Sequence, residues 1–334
     1  MLLKEKILYL CSSVLHKLKT GKRTADPENV KRILIFKMDD IGDMVYTLHV
    51  FNLLHKKYPE SKLELLCKPV NEIFFKYLPH VTLHNSFETI EKVKYDLVFD
   101  LRGNFKTLMF SLKNAKAYFD RGTIRWRNKR SGGQKQEVHT NYEIIEPAIE
   151  GIPFAYPQIK IGAEERKKVH QWLENQEITQ YMIIHAGANS EARRWPKARF
   201  AEMTKSVLKQ NKMAVIFVGG PHEKDEIEFI QRLIPSKTYS VAGDFSLLDL
   251  AALCEGADVF VGNESGPLHV ATAMNCPVVA LFGPGVVNVF YPYHENARII
   301  HHQTDIRDEN TGENTSMQLI QVEEVLKHIE SLTV

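Results

Sequence analysis

A chain of 334 residues with a formal net charge of +2 is long enough for two domains of ordinary size and too nearly neutral to argue for a nucleic-acid coat. Hydrophobic residues make up 44% and charged residues 25%, as in a soluble globular protein, and no apolar run reaches bilayer-spanning length. The four cysteines, Cys11, Cys67, Cys254 and Cys276, lie far apart without a CxxC pair. That pattern argues for buried thiols in a reducing compartment, not for a disulfide framework or a metal site.

The first 23 residues place Leu3, Ile7, Leu10, Val14 and Leu18 at helical spacing, with Lys4, Lys6, Lys17, Lys19, Lys22 and Arg23 around them. Such a basic amphipathic helix can lie on an anionic membrane surface or dock on its own domain. Ser12 and Ser13 interrupt its apolar stretch and no small-residue cleavage site follows, which argues against a signal peptide.

Beyond it, short β-branched or aromatic runs alternate with helical patterns. The first half predicts strands at Ile33–Phe36, Leu63–Cys67, Val81–His84, Leu97–Leu101 and Ala117–Phe119, and a helix over Asp43–Tyr58. Arg121–Gln136 is basic, contains Gly and Ser, and reads as a mobile loop. Gly151, Pro153 and Pro157 mark a domain boundary, giving domains of residues 1–155 and 156–334. The second half predicts strands at Met182–His185, Val215–Val218, Thr238–Val241, Val259–Val261 and Val278–Phe282. Helices fit Lys197–Gln210, Glu223–Leu233, Leu247–Glu255 and Leu268–Met274, with a last one at Val322–Leu332. Strands separated by helices imply two α/β domains, each a doubly wound parallel sheet. Ligands of such sheets bind beyond the carboxyl ends of the strands, so motifs at those ends carry the functional weight.

The most informative end is Gly262-Asn263-Glu264-Ser265-Gly266-Pro267. Ser265 and Gly266 fall at a helix N-terminus, where free N–H groups and the helix dipole favour an anion such as phosphate; the alternative is a capped helix without a ligand. Pro267 suits the first helical position. A second end gives Arg193, Arg194, Trp195 and Pro196. One arginine is expected to clamp a diphosphate, while Trp195-Pro196 anchors the loop. A third gives Gly219-Gly220-Pro221 and then Glu223, which opens a helix as a dipole partner or accepts from ribose hydroxyls. A fourth places Phe245 before a helix, to stack on a base or to fill the core. GxGxxG, GxxxxGK[ST] and HExxH motifs do not occur, which argues against a dehydrogenase. The turn after the first strand is different: Asp39, Asp40, Gly42 and Asp43 give it the wrong charge for phosphate.

Taken together these places resemble glycosyltransferase family 9, the lipopolysaccharide heptosyltransferases. Asp39–Val50 (DDIGDMVYTLHV) resembles the family's N-terminal motif, an aspartate after Gly before an apolar, Thr-containing helix start; Arg193–Pro196 resembles its basic-x-Trp-Pro motif, Gly219–Glu226 its turn with the ribose-binding glutamate, and Asn263–Ala273 its Asp-Ser/Thr-Gly-x-x-His signature. The resemblance covers most of the chain, from about Arg32 onward. It implies a GT-B fold, two Rossmann-like domains facing a central cleft, with the acceptor on the N-terminal domain and the nucleotide sugar on the C-terminal one. It also implies inverting, metal-independent transfer without a cofactor from a nucleotide-diphosphate sugar, ADP-heptose, to a lipid-linked or core oligosaccharide. The enzyme would be cytoplasmic, with peripheral contact at the inner membrane and no nucleic-acid partner. Asp43 matches the general base, with Asp39 and Asp40 in supporting roles such as shaping the turn or touching the acceptor. Arg193, Glu223, Phe245, Glu264, Ser265, Gly266 and His269 match donor-binding positions. His269 would donate to a phosphate; the other reading of it is a histidine on the helix surface. Two positions depart from the family pattern: Glu264 stands for Asp, and Arg193 for Lys. The rival readings are a GT-B epimerase or other nucleotide-sugar enzyme, which epimerisation without acceptor would reveal, and a non-catalytic nucleotide-sugar-binding protein, which would bind without forming product.

Overall fold

The computed structural model of the chain describes residues 27–130, 133, 135–210, 213–284, 287–308, 312 and 314–333. The N-terminal basic helix and Cys11 lie outside the described residues. The chain forms two compact units that divide between Gln158 and Ile159.

The first unit holds a parallel sheet in the order β3-β2-β1-β4-β5. Its strands are β1 (Arg32–Lys37), β2 (Lys62–Cys67), β3 (Val81–His84), β4 (Tyr95–Asp100) and β5 (Ala115–Asp120). β1 is buried at every position after Arg32, which explains its unbroken apolar run: a parallel strand is covered on both faces. On one face Leu34, Phe36, Val98, Leu108 and Phe110 pack together. The register sets Phe36 beside Asp100, and Asp100 beside Asp120. The carboxyl ends of β1, β4 and β5 therefore form one edge.

The helices of this unit depart most from the sequence expectation. The helix expected over Asp43–Tyr58 is two, α1 (Ile41–Val45) and α2 (Leu48–Lys57). At the break, Thr47 N–H bonds back only three residues to Met44 O, and Asn141 Nδ2, far along the chain, donates to Tyr46 O at 3.0 Å. The Thr47 hydroxyl also donates to Asp43 O at 2.8 Å, so a local and a tertiary contact meet at the break. α3 (Phe105–Asn114) joins β4 to β5 and opens on a capping box between Asn104 and Thr107. The expected mobile loop at Arg121–Gln136 is mostly a helix, α4 (Arg121–Arg130), followed by α5 (Glu137–Ile145). Arg121, Ile124 and Asn128 share the buried face of α4. Two of these three are polar, so the helical period does not show as hydrophobicity.

The second unit holds a parallel sheet in the order β11-β10-β9-β6-β7-β8. The strands are β6 (Tyr181–His185), β7 (Ala214–Phe217), β8 (Tyr239–Ser240), β9 (Val259–Asn263), β10 (Val278–Phe282) and β11 (Ala297–His301). β11 escapes the sequence reading because it is a half-exposed edge strand. Between and around them lie α6 (Ala163–Asn175), α7 (Lys197–Lys209), α8 (Lys224–Arg232), α9 (Leu247–Glu255), α10 (Gly266–Ala273) and α11 (Val322–Glu330). The C-terminal α11 buries Val322, Val325 and Ile329 in the second unit's own core, with Met182, Trp195 and Leu281.

In both sheets the chain reverses its direction of winding once, between β1 and β4 in the first and between β6 and β9 in the second. Ligands of open α/β sheets bind at such switch points. Cys67, Cys254 and Cys276 are free and buried, and burial pushes the Cys67 thiol up to about 12. No helix among the described residues is long and apolar enough to cross a membrane.

Candidate functional site

The switch point of the first sheet is lined with charge. Asp43 lies in the first turn of α1 with its side chain 27% exposed, and the fully buried Lys37, the last residue of β1, brings its Nζ to 3.8 Å from Asp43 Oδ1. The same Nζ lies 3.1 Å from Asp39 Oδ2. Asp39 also pairs with Arg102 from the loop after β4, so the pair spans the switch point. Asp40 is exposed and pairs with Lys68. It occupies the N-cap position of α1, but its side chain makes no capping bond. Asp39 and Asp40 are thus both held in ion pairs at this turn.

Lys37 is the group in this unit that the sequence reading passed over. Burial and the charge of Arg121 push it down to about 8, against the pull of Glu137 and Asp43. Glu137 is itself buried, which would raise its carboxyl. Arg121, Lys37 and Arg125 outweigh that and hold it below the usual carboxylate range, with Arg121 Nη2 at 2.5 Å. The signal was present in the sequence: a lysine closing a buried strand needs a partner, and three aspartates follow it.

The loop after β4 is shaped by Asp100, which accepts from Gly103 N–H at 2.8 Å and from the Tyr118 hydroxyl at 3.0 Å. Gly103 has φ +74°, a conformation that favours glycine. Thus a rigid turn presents Arg102 to Asp39.

In the second unit three strand ends are wired together. Asn263, closing β9, is buried; it donates to Ala186 O at 2.6 Å and accepts from Trp195 N–H at 3.0 Å. Trp195 Nε1 donates to Ile320 O, so Trp195 anchors its loop in the core. His185, closing β6, places Nδ1 3.0 Å from Ser265 Oγ and Nε2 3.3 Å from Glu223 Oε1. Glu223 also accepts from Gly220 N–H at 2.7 Å. Burial alone would raise the Glu223 carboxyl; the hydrogen bond and charge of His185 and the Gly220 N–H overcome it and hold it down at about 2. Gly187 leaves room for this carboxylate: a Cβ there would meet Glu223 Oε1 at 1.6 Å.

Ser265 is the N-cap residue of α10, but its hydroxyl does not cap. It donates instead to Asn263 O at 3.0 Å. Gly266 is the first helical residue and Pro267 the second, one place later than the sequence suggested. Arg193 pairs with Glu264 at 3.0 Å, so the two positions that depart from the family pattern are partners. Arg194 is committed to the loop itself through Ala188 O and Glu226. His269 is 3% exposed, which rules out the surface-histidine reading, and burial pushes it down to about 3. Phe245 is half-buried, with Trp172 against it at 5.7 Å between centroids and Lys168 Nζ 5.1 Å from its own. Glu223, Glu264, Ser265 and Gly266 thus lie at the carboxyl edge of the second sheet with Arg193, while Asp43 lies at the edge of the first. His185, wired to two of these residues, was missed as a site residue. Its signal was its place at a strand end before Ala186-Gly187-Ala188. Among the described residues no group of three or more His, Cys, Asp or Glu could hold a metal.

Residues 83–320 match glycosyltransferase family 9 (heptosyltransferase). The chain is 22% identical to lipopolysaccharide heptosyltransferase 2 of Escherichia coli K12, over 90% of this chain and 98% of that one. Its fold is similar to a family 9 glycosyltransferase from Veillonella parvula, with TM-score 0.77, 22% identity, and 91% and 97% of the two chains covered. It is also similar to the ADP-heptose lipopolysaccharide heptosyltransferase II of E. coli, with TM-score 0.73, 20% identity, and 90% and 98% covered. Two parallel α/β sheets with ligand-type turns at their switch points, joined to a match across most of the sequence, lead to one conclusion: this GT-B chain belongs to glycosyltransferase family 9.

Proposed function

We propose that this glycosyltransferase is an inverting, metal-independent enzyme that moves a heptose from ADP-heptose to a lipopolysaccharide core or related cell-envelope glycan. The observation that carries the reading is the contrast between the two switch points. The first presents a carboxylate, Asp43, beside a buried ammonium. The second presents a helix N-terminus with Ser265, Gly266 and Arg193, and beside it the carboxylate of Glu223.

In this reading residues 1–155 bind the acceptor and residues 156–334 the donor. An acceptor hydroxyl attacks the anomeric carbon on the face opposite the diphosphate. Its proton passes to Asp43, the new glycosidic bond forms, and the bond to the diphosphate oxygen breaks. General-base assistance of this kind contributes roughly two to four orders of magnitude. The negative charge that develops on the leaving diphosphate is met by the Ser265 and Gly266 N–H groups, the α10 dipole and Arg193. Glu264 holds Arg193 in place until phosphate competes for it, and His269, neutral at physiological pH, offers one N–H donor. Glu223 retains lone pairs for ribose hydroxyls beyond those used by His185 and Gly220, and Phe245 packs the base. The enzyme works on the cytoplasmic face of the inner membrane.

The test is product formation from ADP-heptose and heptose-deficient core oligosaccharide, with and without a chelator. Transfer with inverted anomeric configuration in both supports the reading. Loss of transfer with the chelator overturns metal independence, binding without product overturns catalysis, and interconversion of the donor without acceptor points to an epimerase.

A further inference from the structure

The outer face of α3 has a composition that the active site does not use. Phe105, Met109 and Leu112 are 64%, 39% and 42% exposed. At helical spacing they fall within one narrow stripe, while Thr107, Leu108, Phe110 and Ser111 fill the opposite, buried face. Lys106 and Lys113 are exposed alongside the stripe, and Lys94 Nζ donates to Lys113 O at the C-terminal end of the helix. Asp120 is the single acid between Arg102 and Arg127. α4 starts next to α3, since a Cβ on Gly103 would lie 3.8 Å from Gly122 N, and it carries Trp126, 40% exposed; the neighbouring Arg125 and Arg127 are paired with Glu137 and Glu143, so the cations beside the stripe are those of α3 itself.

We propose that this stripe and its basic flank are the surface by which the chain docks on an anionic lipid bilayer. Charge complementarity selects that occupant. Apolar side chains that reach the acyl boundary and cations that meet anionic headgroups are the two elements of interfacial binding. A protein partner fits less well, because a stable interface takes roughly 800 Å² from each side and three side chains on a ten-residue helix offer a fraction of that. Phe105 opens α3 at the sheet edge that carries Asp43, so docking through the Phe105 end of the stripe sets that edge beside the headgroup layer, while Lys94 and Lys113 mark the far end of the helix. The inference extends the proposed function, whose lipid-linked acceptor lies in that layer, but its test requires no transfer.

The full chain is sedimented with phosphatidylethanolamine vesicles containing phosphatidylglycerol, and with neutral phosphatidylcholine vesicles. Wild type is expected to partition onto the anionic vesicles and to be released by salt. The double variant Phe105→Ser/Leu112→Ser is expected to partition about ten-fold more weakly or worse, and Lys106→Glu/Lys113→Glu likewise. Both pairs are exposed, so fold is retained, and unchanged transfer to a delipidated acceptor serves as the control. Three results overturn the proposal: wild type that ignores anionic vesicles, variants that bind as well as wild type (the outcome if residues 1–26 carry the binding), or a dimer that the apolar variant dissociates, which would make a second copy the occupant.

Discussion

Replacing Gly187 with alanine tests the nucleotide site through a residue that contributes no functional group. The added Cβ would lie 1.6 Å from Glu223 Oε1 and 2.7 Å from its Cδ. Gly187 is not among the glycines of positive φ, so alanine fits the backbone and the strain falls on the carboxylate. Restoring ordinary contact moves Glu223 by about 2 Å, which breaks its bonds to Gly220 N–H and His185. Hydrogen bonds to a charged group are worth about 1.5–3 kcal/mol each; relaxation and solvation of the flexible side chain recover part of that, leaving a stability loss of about 1–3 kcal/mol. If Glu223 also accepts from the ribose, ADP affinity falls by a similar energy, about ten- to a hundred-fold. Calorimetric titration of ADP into wild type, Gly187→Ala and Glu223→Gln measures this, with urea unfolding alongside. An alanine variant that is folded and binds ADP within about two-fold of wild type would refute the placement of Glu223 on the nucleotide.

Other perturbations separate the remaining parts. Lys37→Met should lower kcat by about ten-fold or more while leaving ADP affinity unchanged, because it removes the ammonium beside Asp43 from the unit proposed to bind the acceptor; unchanged turnover would leave Lys37 a structural group. Arg193→Ala should weaken ADP binding by about ten-fold, as expected for a charge-assisted phosphate contact, and Arg193→Lys should restore part of it. Stability should fall as the pH drops below 6.5. His49 and His269 are pushed down to about 3 by burial, so the unfolded chain binds protons that the folded chain refuses. Their contribution is complete above 6.5 and lost progressively toward 3, by about 2 kcal/mol for each histidine at pH 5. Urea midpoints against pH should show this slope, and His49→Leu should flatten it.

The central strands were readable because parallel strands are buried on both faces and show as apolar runs; Val278–Phe282, buried at every position, is found where the sequence placed it. Helices fared worse wherever polar contacts set the structure. The break between α1 and α2 is held by Asn141 as well as by Thr47, and α4 buries Arg121 and Asn128, so neither shows in the hydrophobic pattern. For the candidate site, residue type and strand end led to Asp43, Glu223 and the Ser265-Gly266 turn, and the structure places each at the carboxyl edge of its sheet. What the sequence could not reveal is pairing. That Arg193 and Glu264 are partners and that His185 links Ser265 to Glu223 depend on which strand ends the second switch point brings together, whereas Lys37 and its aspartates are close in the chain.

The central claim is that Asp43 takes the proton in a transfer whose donor is held by other residues. The most direct measurement compares Asp43→Asn with wild type for heptose transfer and for ADP affinity in the same preparation. The account predicts turnover lower by about two to four orders of magnitude with ADP affinity unchanged. Near-normal turnover would contradict it, as would a loss of ADP affinity that accounts for the whole defect.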